Sequence, residues 1–357
     1  MHTVRVDLDG RGYDIRIGPG VDPGVFFEAA PARKALIVTD SNVDALYADA
    51  CAQRLRARGV EAGRVVVPAG EASKSLATVA RLYDRAVAHG LDRGSVVVAL
   101  GGGVVGDLAG FVAATYMRGI AFVQAPTTLL AMVDSSVGGK TGVNLEQGKN
   151  LVGAFHQPVD VAADLNTLPT LSEREYAAGL AEVVKYGVIR DADLFEQLER
   201  STDKLIRRDP ALLEACIAQC CRIKAAVVVE DERESGGREI LNFGHTFGHA
   251  LEQTSGYGRW LHGEAVAVGM LYAARLSAAL GFGEPERQRL QRLLETLGLP
   301  TRLPAESADW PALRAAMGAD KKSRDHKPRL VLAERIGHCR IGCDVAETEL
   351  QRAWEAL

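Results

Sequence analysis

Residues 95–107 read Ser-Val-Val-Val-Ala-Leu-Gly-Gly-Gly-Val-Val-Gly-Asp, an apolar run that passes directly into a glycine-rich turn. The run Ser95–Leu100 is typical of a buried strand. The turn that follows has the spacing G-x-G-x-x-G and precedes a helical pattern. At such a turn, backbone N–H groups and the positive end of a helix can approach a pyrophosphate. The segment therefore predicts a nucleotide-binding α/β domain.

The sequence around this segment alternates strands with amphipathic helices. Three further apolar runs are typical of strands, at 34–39, 64–67 and 121–125. Helical patterns separate them, ending near Arg58 and covering Leu76–Gly90. Alternation of this kind predicts a parallel sheet with helices on both faces, a Rossmann-like architecture.

The pattern changes after Leu168-Pro169-Thr170, where long helical segments dominate. They cover residues 172–189, 211–230, 243–254, 263–280 and 285–297. A chain of 357 residues is long enough for two domains. We therefore predict a nucleotide-binding α/β domain over 1–170 and a mainly α-helical domain over 171–357, which the motifs below identify as the NAD-binding domain and the metal- and substrate-binding domain.

Composition excludes several classes of partner. The formal net charge of −4 gives no general attraction to nucleic acid or to an anionic membrane. The apolar stretches are short and interrupted by glycine or charge, so none is expected to span a bilayer. The first residues lack the apolar core of a signal peptide. Six cysteines without paired C-x-x-C motifs are consistent with a reducing compartment, and we expect a cytoplasmic location.

The nucleotide pattern lacks one of its usual parts. An acidic residue about 20 positions after the glycines normally contacts the ribose, but Ile120–Pro126 contains no carboxylate. Asp40, at the end of the first buried strand, and Glu71 are the alternative candidates. Turn and helix-cap chemistry explains both residues equally well, so the two interpretations remain open.

Histidines in the second half of the chain suggest a metal site. His245 and His249 are four residues apart and share one helix face. His262 precedes a new helix, and Glu182 lies in a helical run. Three ligands from this set would leave an open position, as a catalytic zinc requires. Thr246 stands where a zincin protease has its glutamate base. Capping or core roles for the histidines remain the alternative.

Many cationic side chains accompany these residues. They are Arg118, Lys140, Lys149, Lys185, Lys224, Arg238, Lys321 and Lys322. Solvated surface charge is the ordinary explanation for any one of them. Some, however, lie in glycine-rich polar turns such as 137–142, which suit loops that hold phosphate.

Four segments together resemble the dehydroquinate synthase family of sugar phosphate cyclases. They are GGGVVGDLAGFVAATYMR at 101–118, PTTLLAMVDSSVGGKTGVNLEQGKN at 126–150, AEVVK at 181–185 and LNFGHTFGHALE at 241–252. The resemblance extends from Asp40 to the region of Lys321. It implies a nucleotide-binding α/β domain joined to a helical metal-binding domain, usually in a homodimer, and a relationship to metal-dependent glycerol dehydrogenases.

The resemblance also implies roles for individual residues. The ligands of a divalent ion, Zn²⁺ or Co²⁺, would be Glu182, His245 and His262. NAD⁺ would contact Asp40, Asn42, Glu71, Lys74, Gly102, Gly103, Val104, Asp107, Thr127, Thr128, Lys149, Thr167 and Thr170. Substrate would be bound by Arg118, Asp134, Lys140, Asn150, Lys224, Arg238 and one of Lys321 and Lys322. Catalytic groups would be His249 (a proton relay), Lys185, Lys140, Asn242 and, less firmly, Glu234, whose charged loop could simply be solvated.

The implied activity is a redox-neutral cyclisation of 3-deoxy-D-arabino-heptulosonate 7-phosphate to 3-dehydroquinate plus phosphate. Hydride is transferred from the C5 alcohol to NAD⁺, phosphate is eliminated, the hydride is returned, and an internal aldol step closes the ring. Three alternatives remain. They are cyclisation of sedoheptulose 7-phosphate or an aminated sugar phosphate, a metal-dependent polyol dehydrogenase, and a non-catalytic binding protein with the same fold.

Overall fold

The computed structural model describes residues 1–29, 32–256, 258–304, 309–318 and 328–357. Lys321 and Lys322, predicted to contact substrate, lie outside the described residues. The chain forms two compact units. The first unit contains Met1–Leu171 and Leu213–Val229, and the second contains Ser172–Leu212 and Glu230–Leu357.

A seven-stranded sheet forms the centre of the first unit. In chain order its strands are β1 His2–Val6, β2 Tyr13–Gly18, β3 Lys34–Asp40, β4 Glu61–Val67, β5 Val96–Gly101, β6 Ala121–Pro126 and, after the hairpin described below, β9 Asp160–Asp164. Their spatial order is β1-β2-β9-β6-β5-β3-β4. Only the β1–β2 pair is antiparallel among these neighbours. A separate antiparallel hairpin consists of β7 Lys140–Leu145 and β8 Gly148–Phe155.

Helices cover both faces of this sheet. They are α1 Phe26–Ala29, α2 Ser41–Val43, α3 Asp49–Arg56, α4 Leu76–Ala88 and α5 Gly103–Thr115. Successive residues of a strand point to opposite faces. Leu36 on β3 therefore packs in the cluster that contains α4 and α5, whereas Ile37 packs in the cluster that contains α3. The predicted parallel α/β domain is confirmed.

The second unit is mainly helical, as predicted. In chain order the remaining helices are α6 Glu173–Arg190, α7 Ala192–Arg200, α8 Thr202–Ile206, α9 Pro210–Glu230, α10 His245–Thr254, α11 His262–Leu276, α12 Glu284–Thr296, α13 Trp310–Gly318 and α14 Glu347–Glu355. The strands β10 Leu330–Arg335 and β11 His338–Cys343 form an antiparallel pair.

One helix departs from the predicted division at residue 170. Residues Leu213–Val229 of α9 belong to the first unit, although the sequence analysis placed them in the helical domain. On α9, Cys221 donates a hydrogen bond to the backbone oxygen of Met132 at 3.4 Å. Lys224 bonds Asp134. A helical pattern predicts the helix but not the unit against which it packs.

One apolar helical stretch bears on the expectation about membrane spans. By length and composition alone, His262–Leu280 could cross a bilayer. However, 72% of this window is buried inside the protein, which is typical of a core helix.

Candidate metal centre and nucleotide-binding edge

Three helices of the second unit bring the predicted metal ligands together. The Oε1 atom of Glu182, on α6, lies 3.5 Å from Nε2 of His245 and 3.6 Å from Nε2 of His262. The two histidines begin α10 and α11. Helix α11 approaches α6 closely because residue 263 is glycine. A Cβ atom there would lie 1.9 Å from the backbone oxygen of Ala178.

His249 belongs to the same cluster. One ring nitrogen from each of His245, His249 and His262 lies within 4.8 Å of the others. His249 follows His245 by one helical turn, so both rings project from the same face of α10. Imidazole nitrogens and a carboxylate oxygen are the donors that zinc prefers. The donor set therefore fits a divalent ion, with four candidate ligands where a catalytic zinc uses three.

His245 and His262 are each oriented by a contact of the Nδ1 ring nitrogen. The Nδ1 atom of His245 lies 3.1 Å from the backbone oxygen of Phe243. The Nδ1 atom of His262 lies 3.1 Å from Oε2 of Glu252, a buried residue of α10. Each contact directs the opposite nitrogen, Nε2, towards Glu182, which is the arrangement found around protein-bound metals. Glu252 was not predicted as a site residue, although it ends the motif at 241–252.

Burial and charge act differently on these groups. Burial lowers the pKa of His245 well below its usual value. For His262, burial acts in the same direction, but the carboxylates of Glu182 and Glu252 outweigh it and raise the pKa to about 10. Lys185, which is buried on α6, forms an ion pair with Glu182. The centre therefore combines a buried carboxylate, a lysine ammonium group and three histidine side chains.

The glycine-rich turn of the first unit lies at the carboxyl end of β5. Gly102 is the N-cap of α5, so the turn enters the helix N-terminus as predicted. A Cβ atom on Gly103 would lie 2.9 Å from Oγ of Ser135, and one on Gly106 would lie 2.8 Å from Oε1 of Gln124. Gly103 therefore keeps the turn open beside Ser135. Gly106 allows α5 to pack closely on β6. This cradle fits the approach of a pyrophosphate.

A polar network next to this turn contains several predicted nucleotide contacts. Nζ of Lys74, which is 4% exposed, lies 2.6 Å from Oδ2 of Asp107 and also contacts Asn150. Asn144 donates to Oε1 of Glu71 at 2.7 Å, and its own oxygen accepts from the Asn150 backbone at 2.9 Å. Burial raises the pKa of Asp107, while the Lys74 ammonium opposes that change. Asn144 was missed, although it lies within the motif at 126–150.

Other predicted nucleotide contacts occupy turns. Asp40 caps α2, because its Oδ1 accepts from Asn42 N at 2.8 Å. Thr170 bonds Tyr47 with 2.7 Å between their oxygens. Thr128 caps the turn after β6 by accepting from Ala131 N at 3.1 Å. Helix-cap chemistry therefore accounts for the side-chain position of Asp40.

Asp134 and Lys224 form a pair within the first unit. Nζ of Lys224 donates to both the backbone oxygen and Oδ1 of Asp134, each at 2.6 Å. Asp134 lies in a π-helical turn, Ala131–Ser135, and its backbone oxygen also accepts from Val137 N at 3.0 Å. The other predicted substrate contacts of this unit, Arg118, Lys140 and Asn150, are exposed. Arg118 has a left-handed backbone (φ +68°), and Lys140 begins β7.

In the second unit, residues 231–242 connect α9 to α10. Asp231 accepts hydrogen bonds from three backbone N–H groups and one hydroxyl of this segment. Arg238 is 1% exposed and donates to the backbone oxygen of Glu232 at 2.8 Å. Asn242 donates to the backbone oxygen of Glu239 at 3.0 Å. Asp231 was also missed, because nothing in its sequence context separates it from the other charges of the loop.

Comparison with known protein families gives two adjacent matches. Residues 64–178 match the model described as 3-dehydroquinate synthase N-terminal, and residues 179–323 match the model described as 3-dehydroquinate synthase C-terminal. A 3-dehydroquinate synthase from Symbiobacterium thermophilum is 55% identical over 358 residues and covers 99% of both chains. One from Halorhodospira halophila is 53% identical over 341 residues, 94% of each.

Solved structures give the same architecture. A 2-deoxy-scyllo-inosose synthase complexed with carbaglucose-6-phosphate, NAD⁺ and Co²⁺ superposes with a TM-score of 0.89, at 30% identity and 99% coverage of both chains. A 2-epi-5-epi-valiolone synthase from Streptomyces hygroscopicus, with NAD⁺ and Zn²⁺ bound, gives a TM-score of 0.87 at 30% identity and 96% coverage of both.

Proposed function

The chain belongs to the 3-dehydroquinate synthase family, and from this premise we propose that it converts 3-deoxy-D-arabino-heptulosonate 7-phosphate into 3-dehydroquinate and phosphate. The reaction uses catalytic NAD⁺ and one divalent metal ion. The observation that carries the proposal is the convergence of Glu182, His245 and His262 within the helical unit, at 3.5 and 3.6 Å. These donor types fit the divalent ion that the proposed reaction uses.

We assign the metal to Glu182, His245 and His262, with Zn²⁺ or Co²⁺ as the ion. The assignment is supported by the donor types and by the backbone and carboxylate partners of the two histidines. Both related cyclases with bound cofactors carry one of these two metals. His249 then remains outside the ligand set and serves as the proton relay.

NAD⁺ is assigned to the carboxyl edge of the parallel sheet. The glycine turn and the N-terminus of α5 supply N–H groups for the pyrophosphate. The predicted contacts around them are Asp40, Asn42, Glu71, Lys74, Gly102, Gly103, Val104, Asp107, Thr127, Thr128, Lys149, Thr167 and Thr170. Glu71 and Asp40 replace the ribose acid that the ordinary dinucleotide pattern would supply.

When bound, NAD⁺ would supply hydride exchange and the metal ion would polarise the substrate alcohol. His249 accepts the proton that leaves the alcohol and passes it on. Lys185 balances the buried charge of Glu182, and we assign it to the catalytic set as a group that contacts substrate. Lys140 and Asn242 complete the catalytic set, with Glu234 as a secondary candidate for proton transfer.

Recognition of the substrate rests on cations. Arg118, Lys140 and Asn150 are assigned to the phosphate, and Asp134 and Lys224 to further substrate contacts. Arg238, together with Lys224, is assigned to the carboxylate. A buried guanidinium such as Arg238 forms charge-assisted bonds and penalises a substrate that lacks the carboxylate.

The nearest second candidate is cyclisation of sedoheptulose 7-phosphate, a substrate without that carboxylate. The assignment of Arg238 and Lys224 to the carboxylate weighs against it, because a site built for charge-assisted bonds to a carboxylate discriminates against a substrate that lacks that group. A polyol dehydrogenase of the same fold would release NADH and has little need for phosphate-binding residues. We further propose a homodimer and a cytoplasmic location. The six free cysteines support a reducing compartment.

The test is an assay of purified protein with NAD⁺, Zn²⁺ or Co²⁺, and 3-deoxy-D-arabino-heptulosonate 7-phosphate. Phosphate release and ring product are followed together. We expect equal amounts of phosphate and 3-dehydroquinate, without net NADH. NADH accumulation with an unphosphorylated polyol would instead identify a dehydrogenase. Turnover of sedoheptulose 7-phosphate alone would identify the other cyclase.

A further inference from the structure

The loop between α9 and α10 is folded around a single carboxylate. Oδ1 of Asp231 accepts from Ser235 N at 2.8 Å and from Ser235 Oγ at 2.9 Å. Oδ2 accepts from Gly236 N at 2.8 Å and from Arg238 N at 3.1 Å. Each oxygen of the buried Asp231 carboxylate therefore faces two donors, and the four bonds close a turn of eight residues.

This turn contains two of the residues that the proposed function uses. Glu234, at its tip, has a left-handed backbone with φ +58°, a conformation that is uncommon for residues other than glycine. Arg238 is the second residue of the short 3₁₀ helix Gly237–Asn242, and its guanidinium donates to the backbone oxygen of Glu232. Backbone bonds to Asp231 thus hold the segment that carries both side chains.

We infer that Asp231 is a positioning residue, which fixes the loop conformation that presents Arg238, with Glu234, to the substrate. The inference rests on the proposed function, because it assumes that Arg238 binds the substrate. Asp231 acts through the backbone of residues 235–238. Its contribution is preorganisation, so the substrate does not have to order the loop when it binds.

Because all the groups around the Asp231 carboxylate donate hydrogen bonds to it, an asparagine at this position tests its charge separately from its shape. Asparagine has nearly the same size as aspartate but carries an NH₂ group in place of one oxygen. In the place of Oδ2 the NH₂ group faces the N–H groups of Gly236 and Arg238, and both bonds are lost. In the place of Oδ1 it faces the N–H group of Ser235, and that bond is lost, whereas the Ser235 hydroxyl can turn and accept. Asp231→Asn therefore removes the negative charge and at least one backbone bond, although it leaves no cavity.

The experiment compares Asp231→Asn and Asp231→Ala with wild type in the cyclisation assay. For both variants we expect KM for the sugar phosphate to rise about tenfold or more, since bonds to a charged acceptor are lost. KM for NAD⁺ and the bound metal content should stay unchanged. Backbone amides of Ser235, Gly236 and Arg238 should exchange hydrogen faster. Asp92→Asn is the matched control, because Asp92 also caps a tight turn, with Gly94 and Ser95, in the other unit.

The possible outcomes separate cleanly. A KM for the sugar phosphate that stays at the wild-type value in Asp231→Asn would overturn the inference. An equal rise in KM for NAD⁺ would also overturn it, because the damage would then be general. Wild-type protein that does not act on the sugar phosphate would refute the proposed function instead. The exchange rates would still decide whether Asp231 holds the loop.

Discussion

Nδ1 of His262 lies 3.1 Å from Oε2 of Glu252, and the opposite nitrogen of the same ring lies 3.6 Å from Oε1 of Glu182. One imidazole thus connects a carboxylate on α10 with a carboxylate on α6. If Glu182 and the Nε2 atom of His262 bind the metal, Glu252 sets the tautomer and the orientation of the His262 ring.

This relationship predicts the effect of Glu252→Ala. Loss of the orienting carboxylate should weaken metal binding about 10- to 100-fold, with a smaller loss for Glu252→Gln, whose amide oxygen can still accept. Equilibrium dialysis against buffered Zn²⁺ measures the affinity without reference to turnover. Gln253→Ala, an exposed neighbour on α10, is the control. A Glu252→Ala protein with wild-type affinity would show that Glu252 does not orient a ligand.

His245 and His249 are predicted to differ in function although they share a helix face. His245→Ala should lose both bound metal and turnover, because a ligand is removed. His249→Ala should keep the metal and lose about 10²- to 10⁴-fold in kcat, the usual contribution of a proton-transfer group. Metal content after dialysis and steady-state rates measure the two effects. Loss of metal from His249→Ala would identify His249 as a ligand.

The pair Lys74 and Asp107 allows a test of the nucleotide-binding edge. Lys74→Met leaves the carboxyl group of Asp107 without its cation, which should destabilise the protein by about 1–3 kcal/mol. The double variant Lys74→Met/Asp107→Asn should recover part of this loss. KM for NAD⁺ should remain raised in both proteins. Urea unfolding and steady-state kinetics provide the two readouts. Full recovery of KM in the double variant would exclude a direct contact with NAD⁺.

The lowered pKa of Asp231 leads us to expect that the stability of the protein depends on pH. Burial alone would raise the pKa of Asp231, but hydrogen bonds from the backbone of Ser235, Arg238 and Gly236 outweigh it and lower the pKa below its usual range. A depressed pKa stabilises the folded state above the unfolded value of about 3.9, and this contribution is lost as the pH falls further. The free energy of unfolding of wild type should therefore exceed that of Asp231→Asn by a constant amount above about pH 5.

Below that pH the difference between the two proteins should shrink. Urea unfolding of both at pH 7, 5, 4 and 3 tests the prediction, with Asp92→Asn as a second reference. A difference that grows on acidification would mean that Asp231 is not held as a carboxylate in the folded protein.

Local sequence patterns determined the main features of the fold. The run at 95–107 predicted a buried strand, a glycine turn and a helix, and the structure contains β5 and α5 at those positions. Apolar periodicity and glycine placement act over a few residues, so they can be recognised without knowledge of the rest of the chain. The long helices after residue 171 were predicted for the same reason.

The sequence by itself therefore determined the fold class, the family and the list of candidate site residues. Only the tertiary structure decided that most of α9 belongs to the unit that contains the sheet, that Glu182 meets His245 and His262, that Glu252 contacts His262, and that Asp231 closes the turn at 231–238. The physical reason is the separation along the chain over which each kind of interaction acts. Secondary structure follows from neighbouring residues, whereas these contacts join side chains that only the packing of distant segments, or the closing of a particular turn, brings within hydrogen-bond distance.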